Sequence, residues 1–151
     1  MKTFFIISLA VFHFSFGNGM AAEAEDGHGD VSGPDAVHFD ASQGGDMIKQ
    51  PGVSAMVEGT VLEVSEGKSG KATFINFFPY NPSIKNFHVV VFEKTIQQDP
   101  VTWSGFLKSL SGQKVRVSGT IKEYKGQPEI EVELMEQIEV VAEGTSDMPS
   151  Q

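Results

Sequence analysis

Two short stretches, "VEGTV" (57–61) and "VSGTI" (117–121), each set a glycine inside a valine-rich segment, and they constrain the fold more than any other feature. Glycine weakens a strand interior and sits there where the strand bends sharply or another group comes close. Two such glycines point to a small, strongly curved sheet. The first stretch lies in "VSAMVEGTVLEVS" (53–65), where Val53, Ala55, Val57, Gly59 and Val61 recur at period two. The phase then slips to Leu62 and Val64, as a bulge would make it do. The second lies in "KVRVSGTIKEY" (114–124), with Val115, Val117, Gly119 and Ile121 inward and Lys114, Arg116, Ser118 and Lys122 outward.

Between them the turn "EGKSGK" (66–71) leads into "KATFINFF" (71–78), a β-branched and aromatic strand bounded by Pro79 and Pro82. "NFHVVVFE" (86–93) is too apolar to face water along its whole length. "PVTWSGFLKSL" (100–110) reads as a helix capped by Asp99 with Pro100 at its first position. Trp103, Phe106, Leu107 and Leu110 share one face of it, and Gly112 ends it. After a turn at Lys125-Gly126 comes "PEIEVELMEQIEVV" (128–141), with Ile130, Val132 and Leu134 on one face. Glu129, Glu131 and Glu133 lie on the other, an acidic ridge expected to be a solvated outer face. The order is three strands, a helix and two strands. It predicts an all-β OB-fold, a five-stranded Greek-key barrel with one helix between strands 3 and 4, over residues 53–142.

The flanks differ in character. Met1-Lys2 and the apolar "TFFIISLAVFHFSFG" read as a signal peptide over 1–21, with small residues placing cleavage after Ala21 or Ala24. The run is shorter than the roughly 20 residues of a membrane span, and His13 interrupts it. Residues 22–52 read as a flexible acidic leader, and 143–151 as a disordered polar tail. The formal charge of −9 sits mostly in these extensions, since Glu23, Glu25, Asp26, Asp30, Asp35, Asp40 and Asp46 face only Lys49. The barrel segment is nearly balanced and has no basic patch to announce a polyanion. With 0 cysteines, a secreted or periplasmic domain would rest on its core alone.

The run from "VEGTVLEVSEGKSGKATFINF" through "FHVVVF" to "KVRVSGTIKEYKGQPEIEVELMEQIEVV" resembles the OB domains of the anticodon-binding type, found in aminoacyl-tRNA synthetases, replicative polymerases and bacterial nucleases or their neighbours. The resemblance covers 53–141, and its most telling piece is "VSGTIKEYKGQPEI" followed by "QIEVV". The layout also resembles small exported bacterial OB proteins. The resemblance implies a single-stranded DNA or RNA ligand and a partner such as a co-exported nuclease.

In an OB-fold the ligand face is formed by strands 2 and 3 and their flanking loops. There, bases stack on aromatic rings while Lys and Arg follow the phosphates. Alternation puts Ile75 and Phe77 inside, and Phe92 is read with them as structural. Phe74, Asn76, Phe78 and the loop residue Tyr80 then form the expected platform, with Lys68, Lys71, Lys85 and His88 at its rim. The alternative for the same face is a protein- or glycan-interaction or envelope-stress module.

"EGKSGK" lacks the upstream glycine and following helix of a phosphate-binding loop. His28 and His38 lie among carboxylates without a metal-ligand spacing, so no metal or cofactor is expected. No nucleophile–base–acid set can be assembled around His88, and binding rather than catalysis is expected.

Overall fold

The computed structural model describes residues 35–142; the expected signal peptide, the start of the leader and the tail lie outside them. The chain forms β1 (Val37–Asp40), a 3-10 turn (Ala41–Gln43), α1 (Gly44–Met47), β2 (Ser54–Thr60), β3 (Glu63–Glu66), β4 (Ala72–Asn76) and β5 (His88–Phe92). It continues through α2 (Glu93–Ile96), α3 (Pro100–Ser109), β6 (Lys114–Tyr124), β7 (Gln127–Glu131), a second 3-10 turn (Met135–Gln137) and β8 (Ile138–Val140). The fold is all-β in its frame, a mixed 8-stranded sheet in the order β1-β2-β6-β7-β5-β4-β3 with β8 beside β6. β1–β2 and β5–β7 run parallel, and the other pairs antiparallel.

The strand count departs from the expected five, and among the described residues no pairing joins β1 to β3 to close the sheet. Three local events account for the extra strands. Residues 53–65 are split into β2 and β3 at Val61-Leu62, and 128–141 into β7 and β8 by the second 3-10 turn. β1 comes from the segment assigned to the leader. At the first split, neighbouring amides bond in different directions. Val61 N–H donates to Gln113 C=O (2.9 Å), while Leu62 N–H donates to Asn76 C=O (2.8 Å). Two consecutive residues thus pass the chain from the partner of β6 to the partner of β4. Leu62, expected inside, is half exposed as a result.

The leader boundary is corrected by residues 37–48. Asp40 accepts from Ser42 N–H (2.9 Å) and its own N–H donates to Gln43 Oε1 (2.7 Å), a reciprocal cap that starts the 3-10 turn. Phe39, Ala41 and Met47 then enter the core, Met47 with 0% exposure. A side chain of that size at full burial contributes about 1.5–3 kcal/mol, so the segment belongs to the folded unit.

The inward assignments for β6 hold at Val115, Val117 and Ile121, and α3 buries Trp103 and Leu107, with Leu110 buried at its C-cap. Asp99 caps α3 by accepting from Thr102 N–H (3.2 Å), and Gly112, at φ 80°, turns the chain after it. After His88, β5 is apolar from Val89 to Phe92 because it lies centrally, between β4 and β7, and Val89, Val90 and Val91 are all buried. Leu134 departs from its expected inward face because alternation stops where the second 3-10 turn begins.

The strand glycines serve packing. A Cβ at Gly59 would lie 2.6 Å from the Ala41 Cβ, and one at Gly119 would overlap the Ile130 γ-methyl. Gly119 also precedes the point where β6 takes up β7 on its other edge, the ladder with β2 running through Thr120 and that with β7 beginning at Ile121.

Candidate aromatic pocket on the β4–β5 face

Strand alternation gives the sheet an outer face whose register can be read across four strands. Glu63 of β3 pairs with Asn76 of β4, Asn76 with His88 of β5, and His88 with Glu129 of β7. One row over, Ser65 pairs with Phe74, Phe74 with Val90, and Val90 with Glu131. Side chains that pair across strands share a face, so a polar row lies beside one that is apolar at Phe74 and Val90 and polar at its ends.

At one end of β4 these rows open into a pocket of about 460 Å³. Phe74, Asn76, Phe78, Tyr80 and His88 line it, with Tyr124 and Lys125 from the β6–β7 hairpin opposite. Phe87, fully buried, forms its floor and stacks at 5.4 Å on Phe77, which the alternation had placed inside. Phe74 meets the His88 ring edge-on at 5.6 Å, and Tyr80 is 88% exposed. Phe78 is half-buried and also packs on the core. Phe92 lies half-buried outside the pocket, with the Lys94 ammonium 5.7 Å from its ring.

Local geometry fixes the walls. Lys125 (φ 50°) and Gly126 (φ 76°) make the two-residue hairpin turn, both at positive φ as a type I′ turn requires. That turn sets Tyr124 over the pocket with the Lys125 ammonium 5.1 Å from its ring. Asn86 ties the loop down: its N–H donates to Gln127 Oε1 (2.8 Å) and its amide to Pro79 C=O (3.0 Å).

The expected cations separate. Lys68 and Lys71 are exposed on the β3–β4 turn, at the end of β4 remote from Phe78 and Tyr80, and line no part of the pocket. Lys85 is exposed too, with its ammonium beside Gly126 of the hairpin. The acidic ridge is also altered. Glu129 is 8% exposed and holds His88 Nε2 at 3.0 Å, while Glu131 binds Lys122 at 2.6 Å. Only Glu133 of the three stands in solvent as expected.

Tyr124, Lys125 and Glu63 are pocket residues absent from the expected site. The signal for Tyr124 was present: the alternation that turns Lys122 outward turns Tyr124 outward two residues later.

No protein-family model and no curated protein matches the chain. Among solved structures it is similar to RecG bound to a three-way DNA junction, at 24% identity and TM-score 0.43 over 71% of this chain and 13% of RecG. It is similar also to an OBody bound to hen egg-white lysozyme, at 15% identity and TM-score 0.43 over 62% and 83% of the two chains. A third is an aspartyl-tRNA synthetase from Leishmania major Friedlin, at 12% identity and TM-score 0.45 over 81% of this chain and 24% of the enzyme.

Proposed function

We propose that the chain is an OB-type binding module, a five-stranded barrel in its basic plan, that takes single-stranded nucleic acid across the β4–β5 face. The observation that carries this reading is the pocket in which Phe74, Phe78, Tyr80 and Tyr124 converge beside Lys125. Each base stacked on such a ring contributes about 1–3 kcal/mol. Two stacked bases at about 2 kcal/mol each correspond to a Kd near 1 mM, so useful affinity needs a third ring or phosphate contacts. Lys125 and Lys85 are the cations nearest the pocket. Two phosphate contacts give a shallow salt dependence, a slope of about −1.4 in log K against log salt for a single strand. In this reading the first residues act as an export signal, the module works outside the cytoplasm, and it has no catalytic role of its own.

Fluorescence anisotropy of labelled oligonucleotides at several salt concentrations tests the reading. Binding with that shallow slope supports it; absence of binding even at low salt refutes it. A second reading, a protein- or glycan-binding module on the same face, is favoured by the Glu63 carboxylate in the pocket wall and by the overall acidity of the chain. It becomes the better one if no oligonucleotide binds.

A further inference from the structure

We infer that the polar row of the pocket selects bases that present N–H donors, guanine foremost, with Glu63 as the residue that sets the preference. This rests on the single-strand reading of the same pocket and adds what that strand must carry.

The inference follows from a count of donors and acceptors. Asn76 has two amide hydrogens, and both have partners within the wall: Ser65 Oγ at 3.0 Å and Glu63 Oε1 at 3.5 Å. Its carbonyl oxygen has no donor among the described residues. His88 Nε2 faces the Glu129 carboxylate, so in the neutral ring that nitrogen carries the hydrogen and Nδ1 is left as an acceptor. Glu63 is exposed and, as a carboxylate, accepts only. At Glu63 and Asn76 the groups left for a ligand are therefore acceptors, and His88 Nδ1 joins them while the ring is neutral. Beside them, Ser65 keeps its hydroxyl hydrogen.

A base stacked among the rings presents its edge to this row. Guanine offers two adjacent donors, N1–H and the N2 amino group, which match the two oxygens of one carboxylate, and its O6 can accept from a hydroxyl. Cytosine and adenine offer a single amino group. Thymine and uracil offer one imide N–H between two carbonyls, which meet the row as acceptor against acceptor. Hydrogen bonds to a carboxylate are the stronger kind, and a bidentate pair of this sort discriminates by about tenfold or more.

Glu63 also repels phosphate, so the two roles of its charge have opposite signs in Glu63→Gln. The experiment compares anisotropy titrations of oligothymidylate, oligocytidylate, oligoadenylate and oligothymidylate carrying one central guanine, on the wild-type chain and on Glu63→Gln. The wild type is expected to bind the guanine-bearing strand about tenfold more tightly than oligothymidylate, with the cytosine and adenine strands between. In Glu63→Gln the guanine preference collapses while oligothymidylate binds as well as before or better. Equal binding of all four strands overturns the inference and leaves the single-strand reading standing. A uniform gain across all strands in Glu63→Gln also overturns it, since Glu63 then acts only through charge. Binding of no strand overturns both.

Discussion

His88 Nε2 and Glu129 Oε2 lie 3.0 Å apart on neighbouring parallel strands, the histidine half-buried and the carboxylate almost fully so. The pair joins the pocket to the centre of the sheet. Removing the imidazole leaves a buried carboxylate without its partner, which costs about 1–3 kcal/mol. His88→Ala is expected to lower the unfolding free energy by that much in urea titrations, with Glu129→Gln costing less because the amide still bonds the ring. Equal stability of His88→Ala and wild type would remove the pair from the fold's support.

Tyr80 and Tyr124 are expected to act in binding alone. Each is more than half exposed, so its replacement by alanine leaves few buried contacts to lose. Tyr80→Ala and Tyr124→Ala should each weaken oligonucleotide binding by about 1–3 kcal/mol while thermal unfolding stays within a few degrees of wild type. Phe78→Ala, by contrast, should lower both, because that ring also packs on the core.

Gly119 and Gly45 make opposed predictions for the same substitution. A Cβ at Gly119 overlaps the Ile130 γ-methyl, whereas one at Gly45 meets nothing within 4 Å. Gly119→Ala is expected to destabilise by about 1–3 kcal/mol and Gly45→Ala to be neutral or mildly stabilising. Adding Ile130→Ala to Gly119→Ala should cost less than the two single changes summed, a coupling that a double-mutant cycle reads directly.

Glu58 ties acid sensitivity to one cluster on β2 and β6. The Lys114 ammonium at 2.8 Å, and after it the Arg116 guanidinium, hold its carboxyl below the ordinary glutamate range. A depressed folded value means stabilisation that is complete above the unfolded pKa and is lost as pH falls through the folded one. Lys114 is raised by the same contact, so its share is complete below the ordinary lysine range and is lost at strongly alkaline pH. Stability should therefore fall below about pH 4, and Glu58→Gln should flatten that fall in denaturation measured from pH 3 to 7. An unchanged pH profile in the variant would assign the acid loss elsewhere.

Met47 tests whether 37–48 is structural. Met47→Ala is expected to cost about 2–5 kcal/mol, as a buried methionine in a packed core does. A free leader would give no change.

The element order was legible because alternation reports which side of a strand is buried, and β6 and the helical face of α3 follow it residue by residue. β1 was not, because only Phe39 of its four residues is buried and the Gly44-Gly45-Asp46 that follows has the composition of a linker. Gly44 is instead held where a Cβ would strike the Lys85 carbonyl, a contact no local pattern announces. Half of the pocket was legible for the same reason as the strands: Phe74 and Asn76 alternate with Ile75 and Phe77. Lys68 and Lys71 lie away from the pocket because sequence proximity to β4 does not say at which of its ends the sheet opens. In the sequence Lys125 is part of a turn, and its place over Tyr124 depends on the sheet that folds the hairpin back.

β6 has three strand neighbours, and they come from opposite ends of the described chain: β2 on one edge, β7 and β8 on the other. Its seven-residue pairing with β2 joins residues 54–60 to 114–120, so everything between must be looped out before that ladder can form. Contacts of such long range impose their entropy cost before they return any stability, which slows folding toward the millisecond-to-second range. Until β2 arrives, β6 exposes an unpaired edge carrying Val115, Val117 and Ile121. A chain built this way is most open to misassembly in the interval between making its hairpins and closing its ends.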